Sequence, residues 1–108
     1  MFSSAIPGVD ATTGELPPAP ADQVWNAFAN VRAFLDAADV TSADVVRMSV
    51  AIDDDALRDG VNAAWVELFP DASSRPARHT AVRPLRLGMH IQLEVVAVAS
   101  PGDAPAPR

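Results

Sequence analysis

Two stretches decide the architecture: Asp44-Val45-Val46-Arg47-Met48-Ser49-Val50-Ala51-Ile52 and Ile91-Gln92-Leu93-Glu94-Val95-Val96-Ala97-Val98. Successive side chains of a strand point to opposite faces, so strict alternation marks a half-buried strand. In the first stretch Val46, Met48, Val50 and Ile52 share a face, with Arg47 and Ser49 opposite; in the second, Leu93, Val95 and Ala97 share one. The pattern predicts strands over 44–52 and 91–99. Residues 77–82 form a shorter strand candidate, and a piece near Phe2 to Ile6 adds another.

Between these runs the period changes. Val24, Phe28, Val31 and Leu35 recur at helical spacing, predicting a helix from Asp22 to Ala38 with Asp22 as its cap. Leu57, Val61, Ala64, Trp65 and Leu68 do the same, predicting a helix from Asp55 to Phe69 with acids at its start and Pro70 beyond its end. Each stripe is narrow and needs a flat apolar partner, which a sheet provides. The order β, α, β, α, β, β reads as an α+β fold, a mixed sheet with both helices packed on one face. The other face mixes Ala, Val and polar residues, as a subunit interface would.

At 108 residues, with 49% hydrophobic and 20% charged residues, the balance is that of a globular chain. We read residues 1–108 as one domain, with a Pro-rich opening segment over 1–21 and a flexible tail over 100–108. A domain of this size buries only about 60–65% of its unfolded surface, so self-association would help it. No apolar run is long enough for a membrane span and no signal peptide is evident, which makes a cytoplasmic location the default. The absence of cysteine excludes disulfides, thiol nucleophiles and thiolate metal sites. A net charge of -6 argues against a nucleic-acid partner, since no aromatic residues interleave with Arg75, Arg78, Arg83 and Arg86. His79 and His90, the only histidines, lack a carboxylate cluster at ligand spacing, so they read as polar surface and not as metal ligands. Asp53-Asp54-Asp55 reads as helix-start charge, and Trp25 and Trp65 as core or interface aromatics.

Several segments then resemble one family in order and spacing. They are Thr13-Gly14-Glu15-Leu16, Asn30 through Ala38, Asp44-Val45-Val46-Arg47, Val61-Asn62-Ala63-Ala64-Trp65 with Phe69, Arg75-Pro76-Ala77-Arg78, and the strand from Ile91 to Val98. Over roughly residues 3 to 99 the chain resembles a shortened member of the RidA (YjgF/YER057c/UK114) family. The resemblance implies a chorismate-mutase-like fold, a homotrimer with sites between subunits, no cofactor, and hydrolysis of small 2-imino or enamine acids to 2-oxo acids and ammonia. Relatives usually begin with about twenty further residues bearing a first strand, so the oligomer is expected to differ if that strand is missing and its edge is left open.

The resemblance also implies roles. Arg78 matches the substrate-binding arginine, and a planar guanidinium can grip a carboxylate through two parallel charge-assisted hydrogen bonds. The other reading of Arg78 is an ion pair with Glu94 on a neighbouring strand. Thr80 stands where many relatives carry cysteine and shares a strand face with Arg78; it reads equally as an ordinary β-branched strand residue. Asn62 matches an asparagine near the pocket or, on an apolar helix face, a structural hydrogen-bonder. Ser3 and Ser4 fall where relatives line the site with a Ser-Gly pair. Gln92 stands in place of a water-activating glutamate, and an amide can hold water but cannot accept its proton at neutral pH. Glu94, on the same face as Gln92 and about 7 Å along the strand, is either a substitute acting through water or a structural carboxylate. Two outcomes follow: an imine deaminase using Arg78 and Gln92, or a non-catalytic binding or interaction protein that keeps the arginine.

Overall fold

In the computed structural model, which describes residues 2–98, four strands form a mixed sheet: β1 (Ile6–Pro7), β2 (Val45–Ile52), β3 (Ala77–Val82) and β4 (Ile91–Ala97). Their order across the sheet is β1-β4-β2-β3. The central β2 runs antiparallel to β4 and parallel to β3. A parallel pair needs a crossover, and helix α2 (Arg58–Leu68) supplies it. Helix α1 (Pro20–Ala37) lies beside α2 on the same face.

The core follows the predicted periodicities. Met48, Val50 and Ile52 of β2 and Ile91, Leu93, Val95 and Ala97 of β4 pack against Val24, Phe28, Val31 and Leu35 of α1 and Val61, Ala64, Trp65 and Leu68 of α2. One strand position departs from the expectation. Val45 pairs with Ala97 and Arg47 with Val96, so Val46 is an extra residue with no partner. This bulge turns Val45 inward and leaves Val46 49% exposed. Alternation alone cannot register an inserted residue.

The helix starts also differ. Helix α1 begins at Pro20, capped by Ala19 with no side-chain bond, and Asp22 lies in its first turn rather than at the cap. Proline is suited to that first position because the N–H it lacks would have no helical partner. Before α2, Asp54 accepts from Ala56 N–H and opens a short 3-10 turn over Asp55–Leu57. Asp53 is not helix-start charge: its carboxylate meets His90 Nδ1 at 2.7 Å, so neither residue is plain polar surface.

The opening segment is held to α1 by amides. Asn30 Nδ2 donates to the Pro7 and Val9 carbonyls and Asn26 Nδ2 to that of Gly8. Gly8 lies so close to the helix that a Cβ there would sit 2.2 Å from the Gln23 carbonyl oxygen. Gly8→Ala therefore forces β1 away from α1, and thermal unfolding should show a loss of about 1–3 kcal/mol. The strand expected over Phe2 to Ile6 is reduced to a bridge between Phe2 and Val96 followed by β1. No described helix is long and apolar enough to cross a membrane. The expected tail over 100–108 and the predicted extension of β4 to Ala99 lie outside the described residues.

Candidate functional site

Strand β3 carries Arg78 and Thr80 on the face that looks toward the helices. Their neighbours in register on β2 are Met48 and Val50, both core residues. The Arg78 Nη2 donates to Asn62 Oδ1 at 2.7 Å, and the guanidinium carbon lies 5.1 Å from the centre of the Trp65 ring. Trp65 in turn packs against Phe69, with ring centroids 4.6 Å apart. A cation over an indole face and a single side-chain acceptor fix the plane of the guanidinium. Burial, and secondarily the nearby Arg58 cation, hold the Arg78 pKa below its ordinary value.

Two residues along, the Thr80 hydroxyl oxygen is buried and has no hydrogen-bond partner among the described residues. A buried unpaired hydroxyl costs about 1–3 kcal/mol, so such groups merit a functional reading. Asn62 is not on the apolar face of α2; it is exposed, and its carbonyl oxygen is turned to Arg78. Trp65 is buried as expected, whereas Trp25 is 45% exposed.

Gln92 stands elsewhere. It pairs in register with Ala51, which pairs with Ala81, so it belongs to the face away from the helices. Its amide nitrogen donates to Met89 Sδ at 3.3 Å. Ser49 pairs with both His79 and Glu94, placing all three on this open face, where a shallow cleft is lined by Ser49, His79, Arg83, Gln92 and Glu94. Glu94 thus cannot be the partner of Arg78: β2 separates their strands, and they project to opposite faces. Among the described residues Arg78 has no carboxylate partner.

The serines split. Ser3 is tied to β4: its N–H donates to the Val95 carbonyl, and its Oγ accepts from the Val95 N–H, both at 2.9 Å. Ser4 is exposed. One protomer therefore gathers Arg78, Asn62 and Thr80 on one side of the sheet, while Gln92 lies on the other and Ser3 and Ser4 lie at the β4 edge.

The Endoribonuclease L-PSP family profile matches residues 1–100. The chain belongs to the RidA family. It is similar to the RutC family protein of Aquifex aeolicus (strain VF5), with 32% identity over 99 residues that cover 91% of this chain and 79% of the relative. It is similar also to the 2-iminobutanoate/2-iminopropanoate deaminase of Escherichia coli (strain K12), at 31% identity over 101 residues, covering 92% and 77%. Among solved structures, Escherichia coli TdcF with bound serine superposes with a TM-score of 0.81 at 29% identity, covering 92% of this chain and 80% of TdcF. The mixed sheet with two helices is accordingly the chorismate-mutase-like α+β fold of RidA proteins.

Within this RidA fold, two features escaped sequence reasoning. Gln23, 1% exposed, donates from Nε2 to the Pro17 and Gly88 carbonyls and accepts at Oε1 from the His90 N–H. It lies beside Val24 on the buried side of α1, and only its burial reveals the role. Arg58, the first residue of α2, stands one turn before Asn62 on the same helix flank, and periodicity gives such a position no weight.

Proposed function

We propose that this RidA protein hydrolyses small 2-imino or enamine acids to 2-oxo acids and ammonia, as a cytoplasmic homotrimer with sites between subunits. The observation carrying this reading is the Arg78 guanidinium, fixed by Asn62 and Trp65 and, among the described residues, without a carboxylate partner and beside a Thr80 hydroxyl that has no hydrogen-bond partner. An oriented fork of this kind suits a substrate carboxylate, and Thr80 suits a second hydrogen bond to it. The names of the deaminase relatives support the same chemistry. That TdcF binds serine supports a ligand of amino-acid size.

The reaction adds water oxygen to C2 of the protonated imine, and the C=N π pair moves to nitrogen. The added water loses one proton to solvent and the carbinolamine nitrogen takes one up; the hydroxyl then loses its remaining proton to solvent as its O–H pair forms the C=O bond, and the C–N pair leaves with ammonia to give the 2-oxo acid. Arg78 and Thr80 hold C2 in place. Gln92 of a neighbouring copy, with Ser3 and Ser4 lining the cleft, orients the water through its amide. The opposite faces of Arg78 and Gln92 favour this division of labour, since a cleft between copies joins one face to another.

A second reading, a non-catalytic binding protein, is favoured by one observation: the position that should activate water holds an amide engaged with Met89. Gln92→Glu separates the two. Restoring a general base should raise ammonia release from freshly generated 2-iminopropionate by about tenfold or more. An unchanged rate, at the uncatalysed level in both forms, would leave only the binding protein.

A further inference from the structure

Arg78 is not the only cation at its site. Arg58 opens α2 about one turn ahead of Asn62, the residue that accepts from Arg78, so about 6 Å of helix surface separates their positions along one flank. Its Nε is held by Asp55 at 2.9 Å, which leaves its terminal nitrogens without a partner among the described residues. The two guanidiniums are near enough for the charge of one to disfavour the charge of the other. Asp55 engages only the Nε of Arg58, and an anion that spans both guanidiniums relieves the repulsion that remains.

We propose that Arg58 binds a second carboxylate, making the preferred substrate a 2-imino dicarboxylic acid, of the kind formed by oxidising aspartate or glutamate, instead of a simple 2-imino monoacid. The inference rests on the imino-acid reading of the Arg78 site and specifies its substrate class. Arg78 takes the carboxylate beside the imine carbon. Arg58, its Nε held by Asp55, takes the distal one. An apolar residue at position 58 would leave that distal charge unpaired at the rim of the cleft.

The test is calorimetric binding of two stable 2-oxo acids, 2-oxoglutarate and 2-oxobutyrate, to the full chain and to Arg58→Ala and Arg58→Lys. The native chain should bind 2-oxoglutarate about tenfold more tightly, the worth of one charge-assisted contact. That ratio should fall close to one in Arg58→Ala and be partly kept in Arg58→Lys. Circular dichroism of each variant checks that α2 is intact. Equal affinity for the two acids in the native chain, or a preference that survives Arg58→Ala, overturns the inference. Hydrolysis of 2-iminopropionate and of 2-iminoglutarate is scored separately: failure with both sinks the deaminase reading, whereas a lost binding ratio sinks only the diacid preference.

Discussion

Arg78→Ala is expected to bring ammonia release from 2-iminopropionate down to the uncatalysed rate. The guanidinium is the group in the proposed site that forks onto the carboxylate beside the imine carbon, and it makes no competing ion pair among the described residues. Truncating a desolvated charge partner costs about 2–5 kcal/mol, or roughly 30-fold to several thousand-fold in kcal-to-rate terms. Arg78→Lys should recover only part of the loss, because an ammonium keeps the charge but loses the fork and the flat contact with Trp65. Both variants should unfold near the native temperature, since Arg78 is partly exposed, Asn62 is exposed to water, and Trp65 keeps its contact with Phe69. Full activity in Arg78→Ala would remove the arginine from the site and the deaminase reading with it.

The largest expected effect on stability comes from Gln23→Leu. Leucine fits the volume and the helix, yet it strands the Pro17 and Gly88 carbonyls and the His90 N–H, all of which face the one buried amide. An unsatisfied buried group costs about 1–3 kcal/mol, so the variant should lose about 3–5 kcal/mol in denaturant unfolding once partial access to water is allowed for. The damage should not stay local. Gln23 ties the segment before α1 to the β3–β4 connection, and His90 at the end of that connection meets Asp53 after β2. A loss of under about 1 kcal/mol would show that these groups find water easily and that the knot is ornamental.

Much of this fold is written in periodicity. The alternation at Met48, Val50 and Ile52 and the helical recurrence at Val24, Phe28, Val31 and Leu35 each report burial against a flat partner, and burial is what the core delivers. The failures share a cause. Alternation points Val46 inward, because a bulge adds one residue without altering composition. Propensity favours Asp22 as a cap, whereas Pro20 starts the helix two residues earlier. At the site, the resemblance implies Arg78, Asn62, Thr80, Gln92, Ser3 and Ser4 together; within one copy the first three gather, while Gln92 and the serines lie elsewhere. Periodicity could place Arg78 and Thr80 on one face but could not say which strand lies beside β3. The Glu94 pairing was conceivable only until the β4-β2-β3 order removed it. Which residues meet across a sheet depends on topology, and a single strand's pattern carries no information about its neighbours.

The parity of the sheet has a further consequence. Arg78 and Gln92 are kept apart by hydrogen-bonded register, so no rotamer change or loop movement within one copy can unite them; only unpairing the strands could. Under the proposed reading, each chain lends its arginine to one cleft and its glutamine to another. A damaged gene copy would then spoil sites built partly from sound chains, and two chains with different lesions could repair each other by mixing. Catalytic capacity would belong to the assembly, rising with protein concentration more steeply than the amount of folded chain.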